Sequence, residues 1–352
     1  MKRSVILMAF IIIFIDYRLS ARDFMLEYTT EWQADFTKDF NWVNLLRMGY
    51  AHDVTSRLVF NVATISIVGI QNGNLIRSIQ PCSNIEEDDL FLALSVFGMT
   101  WRINPTSFLF GGIRNVNEDY FISPLTSLFT NSSCGLFPTI SMIGTIANYP
   151  FSALGIHYVY QRNGWQMKAS IYNGTAYKKV AGHDNVFRFC PKSDAIFNLI
   201  SFSYENNCGN YHLGGCLHSG YLVSGEQIRN GYISSETKDL QKTEQRVIGA
   251  CWGYLEQKIS PSFSFLLQLS VNPSGEAACQ SYIGVGGSFK KKEMDFGVFA
   301  NYTNFKNDHE FATELTCKIP YMKNAYIQPA LHFVQNNHFS GGMGLIRLGI
   351  QL

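Results

Sequence analysis

The 352-residue chain carries 28 Lys and Arg against 27 Asp and Glu, a formal charge of +1 that offers nothing to nucleic acid or to a strongly acidic partner. Charged residues amount to 16%, well under the roughly 25% of ordinary soluble domains, whereas aromatic residues reach 14%, including 27 Phe and 18 Tyr. Mean hydropathy is nevertheless close to zero, so uncharged polar side chains offset the apolar ones, as a chain with lipid outside and water inside requires.

The N-terminus predicts export. Lys2 and Arg3 supply positive charge, residues 5–15 are apolar without a charge, and Leu19-Ser20-Ala21 ends in small residues. This is the layout of a secretory signal peptide over 1–21, cleaved after Ala21. The apolar run falls well short of the ~20 residues a spanning helix needs. No Cys follows the cleavage position, so a lipid anchor is not expected, and residues 22–352 are read as one domain.

Strand patterns fill the rest. Residues 58–70 are rich in Val and Ile, interrupted by Asn61, Thr64 and Ser66, and closed by Gln71-Asn72-Gly73-Asn74. They are too short and too β-branched for a membrane helix. Residues 90–99 form the next strand. In 154–172, Leu154, Ile156, Tyr158 and Tyr160 alternate with Gly155, His157, Val159 and Gln161. Arg162-Asn163-Gly164 makes the turn, since Asn-Gly accepts positive φ, and Trp165, Met167, Ala169 and Ile171 then alternate with Gln166, Lys168, Ser170 and Tyr172. Period two puts the apolar members on one face and the polar members on the other.

Further hairpins are expected over 195–221, turning at 205–210, and over 246–272, turning at Ser260-Pro261. Strands follow at 282–289, 294–302, 311–318 and 325–334, and the last segment sets Ile346, Leu348, Ile350 and Leu352 against Arg347 and Gln351. No long helical period appears. The reading is an all-β, transmembrane antiparallel β-barrel of about 16 strands, at roughly 20 residues per strand with its connection. The location that follows is the outer membrane of a Gram-negative-type bacterium. The eight cysteines (Cys82, Cys134, Cys190, Cys208, Cys216, Cys251, Cys279, Cys317) form no C-x-x-C, and several sit inside strand patterns. Mostly free thiols are expected, with room for a loop disulfide.

Several segments carry a more specific likeness. Gly111-Gly112-Ile113-Arg114-Asn115-Val116-Asn117-Glu118-Asp119-Tyr120-Phe121 and Ser127-Leu128-Phe129-Thr130-Asn131-Ser132-Ser133-Cys134-Gly135 are followed by Tyr149-Pro150-Phe151 and Ile171-Tyr172-Asn173-Gly174. Tyr211-His212-Leu213-Gly214-Gly215-Cys216-Leu217-His218, Glu314-Leu315 and Tyr326-Ile327-Gln328-Pro329-Ala330-Leu331 come later. In this order they resemble the blocks of carbohydrate-selective porins (the OprB family) over most of the mature chain. Cys134 and Cys216 stand where that family favours aromatics, Ala330 where it favours an acidic residue, and Leu352 where barrels commonly end on an aromatic. The resemblance implies passive, sugar-favouring diffusion of small polar solutes through a water-filled pore, embedded in outer-membrane lipids as a monomer or homotrimer.

Residues 114–138 break the strand rhythm and contain Pro124 and the Asn131-Ser132-Ser133 cluster. A long ordered loop is more often functional than idle. It is expected to fold into the lumen and bring Arg114, Asn117, Glu118, Asp119 and Asn131 to the narrowest point, with Trp101, Arg102 and Tyr120 as further candidates. His212, Cys216 and His218 share a strand face, but 212 and 218 lie about 20 Å apart along it, too far for one metal ion. The runs at 86–89 and 290–292 read as a solvated loop and a hairpin turn. No nucleophile elbow, P-loop or zinc-hydrolase motif occurs, so neither an enzyme nor a cofactor is expected. A barrel-embedded hydrolase and a non-conducting structural or adhesive barrel are the competing readings.

Overall fold

A computed structural model describes residues 24–36, 39–71, 75–85, 88–177, 185–221, 245–275 and 277–352. The expected signal peptide over 1–21, and half of the acidic run at 86–89, lie outside them. Sixteen strands run in chain order. The first eight are β1 (Phe24–Asp35), β2 (Phe40–Thr55), β3 (Leu58–Gln71), β4 (Leu90–Asn104), β5 (Ser107–Arg114), β6 (Ala153–Arg162), β7 (Trp165–Asn173) and β8 (Ile196–Asn206). The remaining eight are β9 (Gly209–Tyr221), β10 (Gln245–Ser260), β11 (Phe263–Val271), β12 (Cys279–Lys291), β13 (Met294–Phe305), β14 (His309–Met322), β15 (Ala325–Asn336) and β16 (Ser340–Gln351). Each pairs antiparallel with its chain neighbours, and β1 pairs with β16 to close the barrel. Closure satisfies every backbone group without water, the condition for crossing hydrocarbon with strands.

The two ends differ. Seven connections are two-residue turns at one end, such as 163–164 between β6 and β7, where Asn163 at φ 52° and Gly164 at φ 81° make the expected Asn-Gly turn. The lysine run is likewise a hairpin turn, flanked by the paired Lys291 and Met294. Longer connections, including 115–152 and 174–195, leave from the opposite end.

Alternation sorts the side chains. On β13, Phe296, Val298 and Tyr302 face outward and are exposed, while Gly297, Phe299, Asn301 and Thr303 face inward and are buried. Leu315, Leu331, Phe333 and Ile346 continue the outward apolar band on the neighbouring strands. The inward face is less uniform than the hairpin pattern implied. On β8 to β13 it presents Phe197, Leu199, Cys216, Trp252, Tyr254, Leu266, Tyr282 and Phe299, all buried in one cluster with residues of the 115–152 loop. This sector of the lumen is therefore dry, because a folded-in loop covers it. All eight cysteines are free thiols.

Candidate constriction inside the barrel

The loop 115–152 enters from the end of β5 and is built from one-turn helices at Val116–Glu118, Thr126–Leu128, Ser132–Cys134 and Pro138–Ser141. Inside the barrel its backbone groups cannot all reach water, so the wall must satisfy them. Carboxylates on the inward face do so. Glu256 on β10 accepts the N–H groups of Leu125 and Thr126 at 2.8 and 3.2 Å and the hydroxyl of Ser123. Glu314 on β14 accepts the N–H groups of Thr130 and Asn131, at 2.8 and 2.9 Å, and the Thr130 hydroxyl at 2.9 Å. Gln268 on β11 donates to the Cys134 carbonyl at 2.9 Å, and Tyr282 on β12 to that of Ser133 at 2.9 Å. Gln328 on β15 donates to the Leu128 carbonyl at 2.6 Å.

Apolar contact completes the seat. Phe129 is 1% exposed and stands 5.1 Å from the Phe299 ring. Gly297 makes room for it, because a Cβ there would come within 2.8 Å of Phe129 and 3.0 Å of Leu128. A second segment, 75–85, lies against β14 to β16. Glu310 accepts the N–H groups of Ile79 and Gln80, Arg347 donates to Asn84, and Leu75 and Cys82 pack on Val334, Met343 and Leu345. The Asn84 N–H joins the Thr130 carbonyl at 2.8 Å, so the two segments brace each other.

The root of the large loop carries the charges. Arg114 forks onto Asp119 with bonds of 2.5 and 2.6 Å and lies 5.0 Å over the Phe110 ring. Glu118 pairs with Arg47 of β2, which also stands 3.8 Å from Glu27 of β1. Lys168 of β7 donates to the Asp119 carbonyl. The loop thus touches inward faces from β2 to β15, and Glu27, Arg47, Arg114 and Lys168 keep partial access to water. An aqueous path beside the loop would run along this charged side.

Among the sequence-derived candidates, Arg114, Glu118 and Asp119 come together at the root of the loop. Asn117 serves the loop's root, accepting the Tyr149 N–H at 2.8 Å. Tyr120 is buried with its hydroxyl 2.8 Å from Ser170, and Asn131 is buried while capping Ser133 at 2.9 Å. Both anchor the loop; neither lines open space.

Two candidates are corrected. Trp101 is 48% exposed on the outward face with Met99 and Ile103. Arg102 faces inward, but beside the short turns, where it pairs with Asp53 at 2.9 Å. It is in register with Phe108, six residues or about 20 Å along β5 from Arg114. β4 and β5 form a hairpin whose turn at 105–106 lies at the end away from Arg114, and this carries both residues away from the loop.

Two other groupings can be settled by contact. His218 Nε2 lies 2.9 Å from the Gly174 carbonyl, and His212 stacks on Tyr254 at 4.1 Å, so the histidines of β9 are engaged separately. His157 Nδ1 stands 2.7 Å from Ser170 Oγ and its Nε2 3.5 Å from Asp119 Oδ1, an order reminiscent of a hydrolytic triad. Ser170 is 2% exposed and already bonded to Tyr120, so no substrate carbonyl reaches it.

Sequence reasoning missed Arg47, Glu27, Lys168 and the three wall glutamates. The available signal was a charge on the inward phase of a strand pattern, as at Glu27, Arg47, Lys168, Glu310 and Glu314.

No family model matches the chain, and no curated protein matches it. Solved structures do. The high-pH structure of OprB from Pseudomonas putida superposes with a TM-score of 0.77 at 13% identity, covering 94% of each chain. The chain has the fold of OprB. A loop-deletion mutant of OmpT, an outer membrane protein of Vibrio cholerae, gives 0.58 at 11% identity, over 94% of this chain and 98% of that one. A triple mutant of the Rhodopseudomonas blastica porin gives 0.57 at 7%, over 94% and 99%. At these identities the likeness is one of fold, and it is greater to OprB than to the other two.

Proposed function

We propose that the chain is a passive pore of the outer membrane, passing small polar solutes and favouring sugars. One observation carries this reading: a loop is folded into a closed barrel and fixed there, with paired charges at its water-accessible root. A neutral sugar is recognised by hydrogen-bonding groups held in place, and release requires that each contact be weak. Arg47–Glu118 and Arg114–Asp119 offer donors and acceptors at low net charge, which suits a neutral hydroxylated solute better than an ion. The exposed apolar band supports a surface solvated by lipid, and short turns face the periplasm in barrels of this kind. Cleavage after Ala21 would leave the new N-terminus just before β1.

Liposome swelling with sugars and amino acids of matched size tests the reading, alongside conductance in planar bilayers. Swelling is expected to be faster with sugars. A barrel that conducts nothing would be a structural or adhesive one, and release of product from lipid or peptide would make it a hydrolase.

A further inference from the structure

The inward arginines of the described barrel are engaged by carboxylates: Arg47 by Glu118, Arg102 by Asp53, Arg114 by Asp119 and Arg347 by Glu31. Lys318 differs. It shares the inward phase of β14 with Glu314 and Thr316 and is half-buried. Among the described residues, no carboxylate lies within 4.0 Å of its ammonium and no oxygen accepts from it. It rests instead 4.1 Å from the centre of the Tyr326 ring on β15.

Tyr326 is held against the wall by an absence of side chain, since a Cβ on Gly349 of β16 would run into its ring and hydroxyl. That hydroxyl has no hydrogen-bond partner among the described residues. Across β14, Asp295 stands directly opposite Lys318 in register, also facing inward and without a hydrogen bond to a described residue. An acceptor, a cationic donor and a phenol thus sit on three consecutive strands with no net charge between them.

Their height matters. Tyr326 stands two positions along β15 from Gln328, which holds the Leu128 carbonyl of the loop. At roughly 3.4 Å per residue Tyr326 lies about 7 Å along β15 from that contact, on the short-turn side, and Lys318 and Asp295 continue the row across β14 and β13.

We propose that Asp295, Lys318 and Tyr326 form a second binding subsite for a neutral sugar, entered from the short-turn side of the loop. The subsite rests on the pore reading above. Asp295 accepts from sugar hydroxyls, Lys318 and the Tyr326 phenol donate to them, and a solute leaving the constriction is handed to groups that no hydrogen bond to a described residue already occupies. A charged sugar gains less, because Asp295 opposes what Lys318 attracts.

The test uses the full chain in planar bilayers, with glucose as probe added to one side at a time and current noise as readout. Tyr326→Phe keeps ring and charge, so ionic conductance is expected to stay as in the unmodified protein. Glucose block should weaken about tenfold, the worth of one hydrogen bond to a well-placed polar group. Lys318→Met and Asp295→Asn are expected to weaken it comparably, most clearly with glucose on the short-turn side. Unchanged block in all three variants overturns the subsite. So does glucuronate blocking about tenfold better than glucose, which would mean an anion site. Both results leave the pore intact, whereas an unmodified protein that conducts no ions overturns the pore reading itself.

Discussion

Glu314 on β14 accepts the backbone N–H of Thr130 at 2.8 Å, across 184 residues of sequence. The same carboxylate takes the Thr130 hydroxyl and the Asn131 N–H, so both its oxygens are used as acceptors. A group that offers acceptors only is what this stretch of loop needs. Glu314→Gln replaces one oxygen by an NH2 facing those donors, at a cost of about 1–3 kcal/mol for each donor left unpaired. Single-channel conductance is expected to rise and become noisier, and the thermal midpoint to fall. Unaltered conductance would mean the loop does not set the pore.

Arg114 makes a two-pronged contact with Asp119, and only a guanidinium has that fork. Arg114→Ala is expected to change conductance and weaken sugar block by roughly tenfold. Arg114→Lys should recover the charge and only part of the block. If Arg114→Ala leaves both quantities alone, Arg114 is outside the constriction.

Gly297→Val tests the apolar seat. The new side chain must occupy space 2.8 Å from Phe129 and 3.0 Å from both Leu128 and Thr316, and overpacking of this kind costs about 1–3 kcal/mol. The loop is expected to shift, with a change in conductance. Val298→Ala, one residue away on the lipid face, should leave conductance unchanged. Equal behaviour of the two variants would argue against the packing described.

Strands were legible in the sequence because an outward apolar phase needs only period two. The hairpins over 154–172 and 195–221 match β6–β7 and β8–β9 within a few residues. The interior was less legible. Period two separates faces without saying which contents a face meets, so the apolar inward sector of β8 to β13 was read as wet. The blocks that carried the family resemblance fared better than their individual residues. Leu128 to Asn131, Glu314 and Gln328 belong to three of those blocks, and in the fold they bond to one another. In this fold those segments meet at the clamp between loop and wall. Arg47 and Lys168 belong to none of them, and it is the folded-in loop that brings Glu118 to Arg47 and Asp119 to Lys168.

The thiols report topology. Cys190 is exposed in the long connection before β8, and Cys208 is exposed in the short turn before β9. Burial raises the Cys134 thiol well above its ordinary pKa, which removes the reactive thiolate. A membrane-impermeant maleimide too large for the pore should label Cys190 in intact cells, add Cys208 only after the outer membrane is opened, and spare Cys134 until unfolding. Labelling of Cys208 first would invert the barrel.

Leu315 lies midway along β14 on the outward face, and more than half of its surface is exposed. In water such exposure would favour aggregation; in a bilayer it is solvated by acyl chains. Leu315→Arg puts a charge at the hydrocarbon midplane, which costs about 2–4 kcal/mol. Leu315→Ala loses only apolar contact with lipid. Reversible folding into liposomes, followed by tryptophan fluorescence across a denaturant series, should place the arginine variant well below the alanine one. Thr316→Ser, one position along and facing inward, is the control, since it keeps the hydroxyl that receives Gln328 at 2.9 Å. Indifference to the arginine would mean that this face does not meet lipid, and the band running from Phe296 to Ile346 would then have to be covered by protein.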